Sequence, residues 1–453
     1  MKIEIKESSI VRPAEDAPNQ RLWLSRLDLL YTKRGYIPQV YFYRHNGSSN
    51  FFEAKVLKEA LSKVLVMYYP VAGRFAVDEN GRIEINCNGE GALFVEADTD
   101  SDLDDHGPDF TPGEQLMQLI PPTGFNYSSD SELSSYPLLL VQVTRFTCGG
   151  VSLGIGCHHN LADGAGGLYF FNAWSSIARG LPVKVEPVID RTILRPRVPP
   201  TPTPAFDHLE FAQAPVMSKT TTTSQIQSDS EANSTAIFKI TLDQVNALKA
   251  MTNSSQSNKR YSTNEVLAAY IWRTTCKARD LPVGQATMLS IPLDGRSRLH
   301  PPLPPSYFGN VIFRVTVVAL SGELLSEPFT KTIERIHEAI KRRDDGYLRS
   351  AIDYIEALGD INSVMRGPQS CQCPNLNFTS WLRLPFHRVD FSWGNPICIR
   401  PGSVFKGKLY SLPSPTNDGS VSLVICLEPE PMQSFQKLFY ASFPENHTET
   451  VAN

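Results

Sequence analysis

Long apolar runs are missing from this chain. No stretch reaches the roughly 18 residues needed to cross a bilayer, so no transmembrane helix and no membrane partner are expected. The first residues, Met1 to Glu7, alternate charged and apolar side chains. They read as a strand and carry no signal-peptide core. The Asn-x-Ser/Thr sequons, such as Asn233-Ser234-Thr235, then read as chance matches, and a cytoplasmic location is expected. Paired cysteines are also lacking. Of the eight cysteines only Cys371 and Cys373 lie close together, and one intervening residue is too few for a zinc loop. No basic cluster stands out against a formal net charge of -4, which argues against nucleic acid as a partner. Gly-x-Ser-x-Gly is absent, so no nucleophile elbow is present. Gly164-Ala165-Gly166-Gly167 has neither dinucleotide-binding spacing nor the Lys-Ser/Thr of a P-loop, and close helix packing is preferred for it. No short-period repeat appears.

What is present suits a globular protein of more than one domain. With 453 residues, 41% hydrophobic and 20% charged, the chain has ample core, and two domains are expected. Helix spacing runs from Phe51 to Tyr69, and Asn80-Gly81 marks a hairpin. Pro137 to Phe146 and Val151 to Gly156 read as an antiparallel pair leading into a helix that Gly180 ends. Residues 98–135 are acidic and turn-rich and read as surface. Residues 186–235, with Pro199 to Pro204 and a Thr/Ser-rich stretch, read as a crossover linker. It separates an N-terminal domain over 1–185 from a C-terminal domain over 236–453. The capping box Ser262-Thr263-Asn264-Glu265 opens a helix, and strands are expected near 289–293, 311–320, 378–383 and 419–427. Strands and helices mix in both halves without strict alternation. The expected fold is α/β, with two similar-sized domains whose mixed sheets are flanked by helices.

The chemistry concentrates at His159-Asn160-Leu161-Ala162-Asp163-Gly164, a turn between a strand and a helix. Histidine is the usual general base near neutral pH. Asp163 could orient the imidazole or turn away to pair with an arginine. The residues alone leave open a histidine that is merely part of a glycine-rich turn. A metal site from His158, His159 and Asp163 is disfavoured, because adjacent histidines point apart. Asp294-Gly295-Arg296-Ser297-Arg298 offers two arginines at a strand end, either for a distant acid or phosphate or as a solvated turn. Arg366 and the run Thr379-Ser380-Trp381-Leu382-Arg383 offer a carboxylate clamp and an indole N–H donor, or else a surface arginine and a core tryptophan. Asp390-Phe391-Ser392-Trp393-Gly394 reads as a structural corner.

Taken together these motifs resemble the plant acyl-CoA-dependent BAHD acyltransferases, whose signatures are His-x-x-x-Asp-Gly and Asp-Phe-Gly-Trp-Gly. Ser392 replaces a family glycine in the second. The likeness to the hydroxycinnamoyl-CoA shikimate/quinate hydroxycinnamoyltransferase branch covers nearly the whole chain. It implies a chloramphenicol acetyltransferase-like fold with the active-site channel at the domain interface, and usually a monomer. It implies His159 as general base and Trp381 as oxyanion donor. Asp163 is implied to pair with Arg296, and Asp390, Trp393 and Gly394 to support the site structurally. Acceptor contacts are implied at Arg366, Thr379, Tyr36, Ile37, Gln39 and Tyr41. Ser262, Thr263, Asp294, Arg298, Ser380 and Arg383 are implied to touch CoA. Acyl-CoA is then a co-substrate, with no permanent cofactor and no metal. The branch has Thr and Ser where Ile37 and Gln39 stand, so the acceptor could be quinate or shikimate, or tartrate or malate. An amine acceptor and a non-catalytic acyl-CoA-binding protein are the competing readings. A second acceptor carboxylate would need a further cation, for which Arg388 and Arg400 are the candidates.

Overall fold

Three polar side chains start helices around which the rest is arranged. Asp163 accepts from the Gly166 N–H, Thr241 from Gln244 and Ser262 from Glu265, each satisfying a donor left open in a first turn. The computed structural model describes residues 1–32, 35–107, 109–122, 134–198, 206–217, 233–252, 259–361, 364, 368–384, 386–414, 418–441 and 443.

The first half of the chain supplies β1 (Ile3–Val11), β2 (Arg21–Trp23), β3 (Tyr36–Tyr43), β4 (Arg74–Val77), β5 (Ile83–Asn86), β6 (Ala92–Thr99), β7 (Leu139–Arg145) and β8 (Val151–His158). The second half supplies β9 (Ser234–Ile240), β10 (Ala286–Asp294), β11 (Ile312–Leu320), β12 (Leu376–Ser380), β13 (Cys398–Pro401), β14 (Lys408–Pro413) and β15 (Val421–Leu427). Two six-stranded sheets result, ordered β1-β6-β7-β8-β3-β13 and β11-β10-β12-β14-β15-β9, with a small β2-β5-β4 sheet beside them. Both large sheets are mixed. β6 and β7 run parallel in the first, and β12 runs parallel to both β10 and β14 in the second.

Each sheet packs one face on helices. Leu57 and Leu61 of α1 (Ala54–Met67) and Phe171 and Trp174 of α2 (Gly164–Ala178) pack with Val141 and Leu153 of the first sheet. Trp272 of α3 (Thr263–Ala278) and Ile333 and Ile336 of α4 (Phe329–Lys341) pack with Leu289 and Val315 of the second. No described helix is long and apolar enough to cross a membrane.

Several expectations need correction. The strands β2, β13 and β14 have no counterpart in the sequence reading, and β13 crosses over to pair with β3. Residues 98–135 are not simply surface: Leu103, Phe110, Leu116 and Leu119 are buried against Val40 and Phe42. The acidic residues between them obscure that apolar set. Part of the expected linker is anchored. Val188 bridges to Tyr307, Arg191 is fully buried, and His208 and Glu210 are buried near Tyr347. Pro199 to Pro204 and residues 218–232 lie outside the described residues.

Candidate active site

Strand β8 ends on His158 and the chain turns at His159, two histidines with opposite fates. His158 is fully buried, edge-on to Tyr36 and Phe75, and burial pulls its pKa down to about 3. It is a neutral core residue. His159 turns the other way and lines a cavity, its ring stacked on Tyr31 with centroids 3.8 Å apart and planes 7° apart. Its backbone is pinned on both sides. The His159 N–H donates to Gly35 at 3.0 Å, and its carbonyl accepts from Asn310 Nδ2 at 2.8 Å.

Asp163 does not reach for the imidazole. Its carboxylate takes a bidentate pair from Arg296, at 2.8 and 2.9 Å, and also accepts from the Val311 and Gly166 N–H groups. Both side chains are buried. Burial opposes the Arg296 charge, but the Asp163 carboxylate outweighs it and holds the guanidinium above its ordinary pKa. Asp294 completes the set at 3.1 Å from Arg296. A second brace escaped sequence reasoning. Arg191 and Asp28 form a wholly buried ion pair at 3.2 Å, and Arg191 donates to the Asn160 and Leu161 carbonyls of the turn. Asn310 donates to both Asp28 and His159. Nothing in the spacing of these residues marks them.

The cavity beside His159 has a volume of about 1210 Å³ and lies between the two sheets. That exceeds the roughly 300–1,000 Å³ usual for one small ligand and suits two substrates together. From the first half come His159, Ile37, Gln39 and Cys157. From the second come Trp381, Thr379, Ser380, Arg383, Asp294 and Arg298, together with the helix start at Ser262 and Thr263. Ser262 is already engaged as a helix cap, with its hydroxyl on Glu265 at 2.6 Å. Arg298 is held by the Ile340 and Arg343 carbonyls at 3.1 and 3.0 Å. Trp381 is buried between Phe386 and Tyr410. Cys157 is the thiol in the wall, and burial pushes its pKa up to about 12, which leaves it protonated and a poor nucleophile at neutral pH. Among the described residues no group of three His, Cys, Asp or Glu side chains could hold a metal ion.

Some expected site residues do not reach the cavity. Tyr36 donates to the Pro137 carbonyl and packs on His158; Tyr41 is fully buried against Phe171. Neither lines the cavity, and only Ile37 and Gln39 of that strand do so. Arg366 lies outside the described residues. Arg400 is buried on the Asp109 carbonyl, Arg388 is exposed, and neither is in the wall. Asp390 caps its own turn by accepting from the Ser392 and Gly394 N–H groups at 2.8 and 2.9 Å. Trp393 is buried against Phe52, with its ring N–H 3.4 Å from Asn50. Gly154 and Gly166 serve close packing. A Cβ on Gly154 would stand 1.8 Å from the Leu119 carbonyl oxygen, and one on Gly166 3.0 Å from the Ala162 Cβ.

A family model described as the Transferase family matches residues 1–442. The chain belongs to that family, the BAHD acyltransferases. A shikimate O-hydroxycinnamoyltransferase of Nicotiana tabacum is 50% identical over 97% of this chain and 100% of its own length. A hydroxycinnamoyl-CoA:5-hydroxyanthranilate N-hydroxycinnamoyltransferase of Avena sativa is 44% identical over 97% of this chain and 99% of its own length. Vinorine synthase, a solved structure, superposes with a TM-score of 0.73 at 24% identity, covering 96% of this chain and 98% of that one. The BAHD fold thus accounts for the two mixed sheets with the cavity between them.

Proposed function

We propose that this BAHD acyltransferase moves a hydroxycinnamoyl group from CoA to the hydroxyl of a hydroxy-carboxylic acid, of which quinate and shikimate are examples. Acyl-CoA is the co-substrate. One observation carries the mechanism: His159 faces the cavity while Asp163 is turned away onto Arg296. His159 takes the acceptor hydroxyl proton as the oxygen attacks the thioester carbonyl. The tetrahedral intermediate collapses, the C–S bond breaks, and His159 returns the proton to the leaving thiolate. Trp381 offers its indole N–H to the oxyanion. No protein nucleophile is needed, in keeping with the protonated Cys157. Asp163 holds the turn and relays no charge. Thr379 in the wall, and Arg366 on the family likeness alone, hold the acceptor; Asp294, Arg298, Ser380 and Arg383, which line the cavity, take CoA.

His159→Ala should lower turnover of p-coumaroyl-CoA by about 10²–10⁴-fold while acyl-CoA still binds. A variant that keeps most of the activity overturns the mechanism. An aminobenzoate acceptor is the second reading, because a 44% identical relative is named for N-acylation of 5-hydroxyanthranilate. Faster acylation of 5-hydroxyanthranilate than of any hydroxy acid would favour it.

A further inference from the structure

The cavity face of the second sheet carries two cations that no catalytic step uses. Arg314 on β11 is 91% buried, at 9% exposure, and lines the cavity. Lys408 on β14 is buried at 3% exposure and lines it too. Strand alternation places them on the same face as Ser290 and Asn377, because Leu289, Phe378, Leu409 and Val315 all point into the opposite, helix-packed core. Arg314 donates to Ser290 Oγ at 3.4 Å. Lys408 donates to Asn377 Oδ1 and Thr379 Oγ1, and lies 4.8 Å from the Tyr410 ring centroid. Ser290 and Asn377 are register partners across β10 and β12, so the two cations' anchoring groups are about one strand spacing, roughly 5 Å, apart.

Burying a lysine or arginine is costly unless an anion or a full set of acceptors compensates. Among the described residues no carboxylate pairs with Arg314. The cations' neighbours also differ from those of the CoA-side groups. Arg298 and Arg383 stand at the ends of β10 and β12, whereas Lys408 sits beside Thr379, the acceptor-side threonine. Resting on the acyl-transfer reading above, we propose that Arg314 and Lys408 form an anion-reading pair that selects an acceptor with two carboxylates, a small hydroxy-dicarboxylic acid. Asn377 and Thr379 hold the ammonium in place, Ser290 holds the guanidinium, and each cation takes one carboxylate. A monocarboxylic polyol offers an anion to only one of them.

The test is steady-state kinetics with p-coumaroyl-CoA and four acceptors: malate, tartrate, quinate and shikimate. Wild type should give the higher kcat/KM on malate or tartrate. Lys408→Met and Arg314→Gln should each raise the KM for the diacid by 10- to 100-fold, with the KM for p-coumaroyl-CoA within about twofold of wild type. Lys408→Arg, which keeps the charge, should recover part of the loss, and equal melting temperatures exclude misfolding. Preference for quinate or shikimate in wild type, equal losses on all four acceptors, or a rise confined to the acyl-CoA KM each overturns the proposal. The last outcome would assign the pair to CoA phosphates. These results leave acyl transfer itself standing. Absence of turnover with every acceptor, acyl-CoA binding intact, overturns the acyl-transfer reading and this one with it.

Discussion

His158 sits edge-on to Tyr36 and Phe75, and burial moves its pKa from 6.5 to about 3. In the unfolded chain the same imidazole takes up a proton as pH falls below 6.5, whereas the folded one stays neutral until about 3. Between those values the unfolded state binds more protons, so stability is full above the upper pKa and is lost as pH falls towards the lower. The slope from this group alone approaches about 1.4 kcal/mol per pH unit. Urea melts at pH 7.5, 6.0 and 5.0 should show the decline, and His158→Phe should flatten it. An unchanged slope in that variant would mean that other groups set the acid limit. Sequence alone could say that adjacent histidines diverge, but not which one is buried. Register decides that, since Tyr36 opposite His158 draws it into the aromatic cluster while the next residue leaves the sheet.

At the scale of elements, the turn after the Phe386–Arg388 helix carries visible strain. Ser392 has φ +90°, in the region that glycine adopts freely and a residue with a Cβ only rarely. The turn is kept because Asp390 caps it and the flanking Phe391 and Trp393 are buried beside Trp174 and Phe52. Ser392→Gly should therefore stabilise the protein by about 1 kcal/mol, read as a higher denaturation midpoint with an unchanged m-value. A loss of stability would show that the serine hydroxyl makes a contribution larger than the strain. Elements that announce themselves by local chemistry were legible: the capping box at Ser262, the Asn-Gly hairpin, and the paired strands before His159. β14 was not. Its run Lys408-Leu409-Tyr410-Ser411-Leu412 alternates, but a lysine in a strand reads as solvent-facing. Only a second sheet above it makes that position interior. The same reasoning hid Arg314.

Across the whole molecule, the His159 turn is held by two buried ion pairs that join distant segments. Asp163 and Arg296 were expected from the family likeness. Arg191 and Asp28 were not, because Arg191 lies in a stretch whose composition reads as a tether. Arg191 also approaches the Phe308 carbonyl at 3.4 Å, so one side chain links the first half, the crossover and the second half. Arg191→Met leaves Asp28 as a buried carboxylate without its cation. It should cost about 3–5 kcal/mol in chemical denaturation and lower kcat through the loosened His159 backbone. A stable variant with normal kcat would reduce the pair to a passive contact. The crossing of β13 has a different consequence. Residues 398–401 hydrogen-bond to β3, the strand that presents Ile37 and Gln39 to the cavity. Any fragment that stops before them leaves β3 as a bare edge, open to pairing with strangers. The chain must therefore be nearly all synthesised before its first sheet is complete, and until then an N-terminal half carries β3 as an uncovered edge.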